Sequence, residues 1–344
     1  MPTPSSLEST LTRAWLRRGA LACALWPLSR LFGALSGLRR LLYRSGVLRA
    51  ERLPVPVIVV GNIFIGGTGK TPLTIWLATA LRAAGYTPGV VSRGHGGDAD
   101  VPRHVSSSSD PREVGDEPLL IARRSACPVV VGRGRAAAAR ALLAAHPQVD
   151  VLISDDGLQH YGLARDIELV LFDARGIGNG WLLPAGPLRE TADRRRDFTI
   201  VNAPGITPQL AAAVGGQPFQ MQLTGNVAEP LGSPGQGVPL ASLKGKRIVA
   251  AAGIGNPARF FSMLRAAGLD IVELSLPDHH DFLDRPFDAL DADIILITEK
   301  DAVKCGQIEH LKFDPRLWVV PVTAQLDAAL AEQIVEKCRG CPTA

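Results

Sequence analysis

The sequence holds little from which a disulfide scaffold could be built. Its five cysteines (Cys23, Cys127, Cys305, Cys338 and Cys341) are spread over 344 residues. Their number is odd and their spacings form no framework, which suits a reducing compartment. Cys338 and Cys341 make a C-x-x-C, but no second pair of ligands follows at zinc-binding spacing. A large excess of either charge is missing as well: a net charge of +4 gives no global reason to expect nucleic acid. An apolar fraction of 46% with 20% charged residues places the chain among globular proteins rather than disordered ones. Its length allows two domains of ordinary size. A clean membrane span is also missing, because the longest apolar stretch, ALACALWPLSRLFGALSGL at 20–38, is interrupted by Pro27 and Arg30, where about 20 apolar residues are wanted.

Basic residues are nevertheless concentrated early. The first 52 residues carry Arg13, Arg17, Arg18, Arg30, Arg39, Arg40, Arg44, Arg49 and Arg52 against Glu8 and Glu51 alone. An apolar helix flanked by arginines, with Trp15 and Trp26 near the boundary, reads as a membrane-associated arm over 1–52, embedded in or lying on the cytoplasmic face. The competing account is an apolar helix packed on its own domain or on another subunit.

The chemically richest stretch begins just beyond this arm. Pro56 to Val60 is an apolar, β-branched run that predicts a buried strand. It opens into Gly61-Asn62-Ile63-Phe64-Ile65-Gly66-Gly67-Thr68-Gly69-Lys70-Thr71-Pro72, then a helical pattern from Leu73 to Ala84. Strand, glycine turn, Lys-Thr and helix is the order of a phosphate-binding loop. Glycine lets backbone N–H groups approach phosphate, Lys70 reaches the outer phosphates and the Thr71 hydroxyl can join Mg²⁺. ATP binding is therefore expected over Ile65, Gly66, Gly67, Thr68, Gly69, Lys70, Thr71 and Pro72. The strict pattern wants glycine at 64, where this chain has Phe64.

Further strands are predicted at 87–92, 127–131, 149–154, 166–172 and 198–202, alternating with helical segments. This βαβ order argues a parallel sheet covered by helices, a P-loop kinase domain spanning 53–203. Asp98 to Pro111 reads as an irregular surface excursion. The strand at 149–154 ends in Asp155-Asp156-Gly157-Leu158-Gln159-His160, the kind of acidic strand end that holds Mg²⁺ in P-loop enzymes. Asp116 and Glu117 open a helix, so dipole capping accounts for them as well as catalysis does. GIGNGWLLPAGPLRE at 176–190 lacks the following helix of a dinucleotide loop; its prolines and glycines impose an ordered loop that delivers Arg189 and Glu190. Residues 204–246, rich in Pro, Gly, Gln and Ala, read as a linker region. A second, smaller α/β domain is expected over 247–344, with strand ends at Pro277-Asp278-His279-His280-Asp281-Phe282 and Glu299-Lys300-Asp301. Strand-end loops carry chemistry, which favours a functional use for His279.

Taken together, GNIFIGGTGKTP, VSRGHGG, VGDEP, SDDGLQH, LLPAGPLRE, AAGIGNP, PDHHDF and ITEKDA, in this order from residue 61 to 302, resemble the tetraacyldisaccharide 4′-kinase (lipid A 4′-kinase) family. That family also tolerates a residue other than glycine at the position of Phe64. The resemblance implies transfer of the ATP γ-phosphate to the 4′-hydroxyl of an acylated disaccharide 1-phosphate glycolipid at the inner-membrane surface, on its cytoplasmic face. It implies ATP and Mg²⁺ as cofactors, with no nucleic acid and no obligatory protein partner. Lys70 and Thr71 match the phosphate and metal positions; Asp155 or Asp156, with Gln159, His160 and Glu190, match the residues around metal and nucleotide. Asp116 matches the family's candidate base and His279 its partner, with neighbouring His280 one position away. A membrane-associated P-loop ATPase that switches a protein partner is the rival from another class. A GTPase is a weaker rival, since Thr298-Glu299-Lys300-Asp301 lacks the asparagine of a guanine-reading box.

Overall fold

The computed structural model describes residues 14–94 and 101–341. The larger of its two sheets takes β1 (Val57–Asn62), β2 (Pro88–Ser92), β3 (Arg103–Val105), β4 (Val129–Val131), β5 (Val151–Asp155), β6 (Ile167–Asp173), β7 (Phe198–Asn202) and β8 (Pro218–Thr224). The smaller takes β9 (Val227–Pro230), β10 (Val238–Pro239), β11 (Ile248–Ala252), β12 (Ile271–Ser275), β13 (Ile294–Thr298) and β14 (Leu317–Val320). A last strand, β15 (Thr323–Leu326), returns to the larger sheet, whose order is β15-β8-β7-β6-β1-β5-β2-β4-β3. The smaller runs β10-β9-β14-β13-β11-β12.

Strand β1 lies mid-sheet, parallel to β5 and β6. Its residues alternate between two buried faces: Ile58 and Val60 pack with one core and Val57 and Val59 with the other. A strand buried on both sides reads as a continuous apolar run, which is why no polar alternation is visible in it. The first core is roofed by α2 (Lys70–Ala83) and α4 (Asp116–Ser125), the second by α5 (Arg135–Ala145). The smaller sheet repeats the plan, with Ile248 and Ala250 facing one core and Val249 and Ala251 the other. Helices α7 (Pro257–Ala266) and α8 (Glu299–Cys305) pack on its opposite faces. The parallel sheet, the second α/β unit and the apolar N-terminal helix are as expected.

Three stretches differ from expectation. Residues 204–246, expected as a linker, are folded: α6 (Pro208–Val214) is capped by Thr207, and β8 pairs parallel with β7. The Pro and Gly content there marks caps and turns rather than missing structure. Residues 323–339 belong to the larger unit and not to the smaller one. There β15 pairs antiparallel with β8, and α9 (Ala328–Arg339) adds Leu330 and Ile334 to the β1 core. The chain thus passes between the units twice, at 225–226 and 321–322. Between Asp98 and Pro111, β3 forms an antiparallel edge on β4, and Asp110 then caps the short helix α3 (Pro111–Val114). His95, Gly96 and Gly97 of the glycine loop lie outside the described residues.

The N-terminal helix α1 (Ala20–Arg44) is 25 residues long, and by length and composition it could cross a membrane. It is seated along one side on the 176–190 loop: Ser29 Oγ donates to the Leu182 carbonyl (2.8 Å), and a side chain at Gly33 would strike Leu182. Trp15, expected at a membrane boundary, instead donates its Nε1–H to the Pro184 carbonyl at 2.9 Å. The other side exposes Leu28, Leu31, Leu35, Leu38 and Leu41.

Candidate active site

Where β1 ends, Asn62 organises the adjoining loop. Its Nδ2 donates to the Phe64 and Gly66 carbonyls, while its Oδ1 accepts from Lys70 Nζ at 3.2 Å. Gly66 and Gly69 hold φ of 96° and 101°, left-handed values that favour glycine. A Cβ at Gly69 would also collide with Asn202 Nδ2, which donates to the Thr68 carbonyl at 2.8 Å. Phe64 has no such role: it is buried against Leu188, with the Arg175 guanidinium over its ring at 4.2 Å. Glycine is unnecessary at 64 because the backbone there is not left-handed and the side chain fills core. Helix α2 starts at Lys70, earlier than expected, because Gly69 supplies the cap and Pro72 is tolerated in a first turn. The helix N-terminus therefore follows directly on the glycine loop, the order that phosphate binding uses.

The two acids that end β5 have different surroundings. Asp155 is fully buried, and both its oxygens are taken, by Thr74 Oγ1 and Ser92 Oγ at 3.0 Å each. Burial, then the Glu117 and Asp156 carboxylates, push its pKa up to about 6. Asp156 sits in a left-handed turn (φ 47°) with its side chain 27% exposed. Lys70 Nζ and Arg189 Nη1 lie 3.7 and 3.3 Å from its Oδ1. Burial would raise its pKa, but Lys70 and Arg189 outweigh it and the net shift is downward. Asp156 is thus the ionised, accessible member of the pair.

Glu190 is anchored more tightly than a metal ligand needs. It accepts from Gln159 Nε2 (2.8 Å), Tyr161 Oη (2.8 Å) and Arg194 Nη1 (2.9 Å), with Arg40 of α1 at 3.7 Å. Burial, followed by Arg135 and Arg93, lowers the His160 pKa to about 4, leaving it a neutral imidazole. Asp155, Asp156, His160 and Glu190 do not converge on one point. Among the described residues the group close enough to share an ion is His280, Asp281 and Asp284. There His280 Nδ1 accepts the Phe282 N–H at 3.0 Å and its Nε2 faces Asp284 at 3.4 Å, a turn-locking arrangement.

Across a narrow cleft lined by Ser92, Arg93, Asp155 and Asp156 stand Asp116 and His279. Asp116 opens α4 and accepts the Glu117 N–H with Oδ1 at 3.0 Å. Its Oδ2 lies 3.1 Å from His279 Nδ1. Burial disfavours the Asp116 carboxylate, but the His279 hydrogen bond and the charges of Lys300 and Lys304 outweigh it and hold the pKa well below the usual range. His279 has φ 61°, a strained backbone for a residue with a Cβ. The Asp116 bond raises its pKa against the opposition of burial and Lys300. Lys300 Nζ bonds to Glu117 (3.0 Å) and Asp278 (3.2 Å) and reaches 3.4 Å from His279 Nε2. Helices α4 and α8 pack together here, and Arg124 pairs with Glu299. The units also touch at the phosphate loop, where Gly255 abuts Gly67 and Arg259 bridges the Thr68 carbonyl and Asp173 at 3.3 Å each.

This geometry has known counterparts. The family model described as Tetraacyldisaccharide-1-P 4′-kinase matches residues 21–339. The chain belongs to this family. Proteins named tetraacyldisaccharide 4′-kinase from Herminiimonas arsenicoxydans and Janthinobacterium sp. (strain Marseille) are 62% and 63% identical to it, over 98% of this chain and 97% of each relative. A crystal structure of LpxK from Aquifex aeolicus, an "apo" form in complex with ATP, is 29% identical. It superimposes with a TM-score of 0.74 over 92% of this chain and 99% of that one.

In this 4′-kinase family member the acidic pair and the Asp116–His279 pair line one cleft, and Lys70 of the glycine loop reaches Asp156 at 3.7 Å. Residues that sequence reasoning passed over are Asn62, Asn202, Arg259 and Lys304. Asn62 stands inside the loop motif, but nothing in spacing reveals that a strand-end amide will hold both a lysine and the turn. A larger hollow of about 770 Å³, lined by Arg195 and Gly216 among others, lies at the Phe198–Thr199 start of β7, the end away from Asn202. It takes no part in this site.

Proposed function

We propose that this chain transfers the γ-phosphoryl group of ATP to the 4′-hydroxyl of a tetraacylated disaccharide 1-phosphate, giving the 1,4′-bisphosphate. Membership of the tetraacyldisaccharide 4′-kinase family supports the substrate pair. The single structural observation that carries the reading is the Asp116–His279 pair lining one cleft with Asp156, the carboxylate beside Lys70 of the glycine loop, since a partner-driven ATPase switch has no use for an acceptor-side pair. In the transfer the bond from phosphorus to the β,γ-bridging oxygen breaks as a bond to the sugar oxygen forms, and the hydroxyl proton passes to Asp116. Such a transfer depends mainly on alignment and charge neutralisation. The loop amides and Lys70 hold the outer phosphates. Asp116, fixed by His279, orients the acceptor hydroxyl and receives its proton.

Mg²⁺ fits this site because Asp156 offers a partly exposed, ionised carboxylate 3.7 Å from Lys70 of the glycine loop, and Mg²⁺ needs one or two protein oxygens besides phosphate and water. When bound, it neutralises charge on the β and γ oxygens. Asp155, with both oxygens occupied, positions the strand end instead. Gln159, His160 and Glu190 brace the loop that presents Asp156.

We assign the exposed leucine side of α1 to the inner-membrane surface on its cytoplasmic face, where a four-chain glycolipid resides and ATP is available; no protein partner is required. Incubation in detergent with Mg²⁺ and γ-labelled ATP, with and without the disaccharide 1-phosphate lipid, tests the whole reading. Label should enter the lipid and vanish with Lys70→Ala. ATP consumption indifferent to lipid would sink it.

A further inference from the structure

Helix α8 carries a second lysine that the phosphoryl transfer leaves unused. Lys304 is inward-facing, its side chain 13% exposed, and its Nζ is buried with no hydrogen-bond partner among the described residues. Within 4 Å its charge meets one carboxylate oxygen, Asp116 Oδ2, at 3.5 Å, too long for a charge-assisted hydrogen bond, and from further off it acts on buried Asp301, whose Oδ2 is already bonded to Thr298 and the Gly253 amide. The ammonium otherwise lies over the Phe282 ring at 5.5 Å. A desolvated ammonium without a hydrogen bond is costly, and without it Asp116 keeps the His279 hydrogen bond and the charge of Lys300, so an apolar replacement leaves no carboxylate unpaired. Fold stability therefore gives no reason for a lysine here.

The position of Lys304 gives one. Asp116 belongs to the larger unit, while His279 and Lys304 both belong to the smaller. On Oδ2, His279 and Lys304 act together, and Oδ1 is held by the Glu117 amide at 3.0 Å. Lys304 does not line the cleft, so it reaches the acceptor only through Asp116. We propose that Lys304 is a positioning residue: approach of the two units brings its charge behind Asp116, draws Oδ2 toward His279 and fixes the carboxylate for the acceptor hydroxyl. The inference rests on the reading of Asp116 as the acceptor-side residue. The lowered pKa of Asp116, to which Lys304 contributes, agrees with it.

The experiment compares Lys304→Met and Lys304→Arg with the unmodified chain in detergent, measuring kcat, KM for ATP and thermal midpoint. The methionine fills an apolar-walled space, so its melting midpoint should be unchanged or higher. Its kcat should fall about tenfold or more, with KM for ATP within twofold. The arginine restores charge and should recover much of kcat. Three results overturn the proposal: a methionine variant with undiminished kcat, one that melts lower or cannot be isolated folded, or an arginine variant no faster than the methionine one. Failure of the underlying reading is distinguishable, because then Asp116→Ala itself would leave kcat intact.

Discussion

His279 Nδ1 and Asp116 Oδ2 lie 3.1 Å apart although 163 positions separate the two residues in the chain. One stands at the start of a helix on the larger sheet, the other in a strained turn of the smaller unit. The pair joins the two units beside the packing of α4 on α8, so acceptor chemistry is tied to the relation between the units. Groups that act as one device are not additive when removed. Asp116→Ala and His279→Ala should each lower kcat by roughly 10²–10⁴-fold, the range of a positioned acid–base group. KM for ATP should move little. The double variant should be scarcely slower than the worse single one. Parallel loss of turnover and ATP affinity in Asp116→Ala would reassign that residue to the nucleotide.

Asp156 is the accessible carboxylate and Asp155 the sequestered one, so their amide variants should respond differently to Mg²⁺. Asp156→Asn should raise the Mg²⁺ concentration for half-maximal rate by an order of magnitude or more, since one charged oxygen ligand is lost. Asp155→Asn should slow the enzyme with a smaller change in that requirement. A titration of rate against Mg²⁺ decides, and a larger shift for Asp155→Asn would reverse the assignment.

Stability should move in the opposite sense at Asp155. Its folded pKa, pushed to about 6, exceeds its ordinary value of 3.8, so the folded chain prefers the protonated acid. Between those values the native state binds more protons than the unfolded one. This contribution is present below pH 3.8 and is lost as pH rises through 6, at a cost on the order of 3 kcal/mol. Asp155→Asn removes it, while the Thr74 and Ser92 hydroxyls can still pair with an amide. At pH 7.5 the variant should melt a few degrees higher, and its advantage should vanish near pH 4. Equal midpoints across that range would show that Asp155 is not strained by its surroundings.

Much of this site could be read in the sequence because its local pieces are contiguous. Strand, loop and helix of the phosphate site lie within 57–83, and the acids follow directly on β5. What could not be read was long-range. Pairing of β8 with both β7 and β15 turns a Pro- and Gly-rich stretch into sheet, and no local pattern announces a strand whose partner lies about a hundred positions on. The choice between His279 and His280 was likewise settled by backbone geometry, which turns one ring toward Asp116 and the other into its own turn. Lys304 was invisible for a related reason: its significance comes from a carboxylate in the other unit.

The remaining expectation concerns α1, which the 176–190 loop holds along one side only. Leu28, Leu31 and Leu35 are 55%, 58% and 60% exposed, an apolar stripe left to solvent. Arg30, Arg39 and Arg44 lie on the same helix, where anionic head groups would meet them, whereas Arg40 faces Glu190. Burial of each half-exposed leucine in a membrane is worth about 1 kcal/mol. Replacing all three (Leu28→Gln, Leu31→Gln, Leu35→Gln) should therefore weaken vesicle binding about a hundredfold. Because Ser29 and Gly33 keep the helix seated on Leu182, the variant should fold and phosphorylate a short-chain acceptor in detergent at close to the normal rate. Its rate on acceptor embedded in anionic vesicles should drop. Co-sedimentation with vesicles together with the two assays gives the answer. Undiminished vesicle binding would mean that this stripe covers protein rather than lipid, and loss of both activities alike would make α1 part of the catalytic fold.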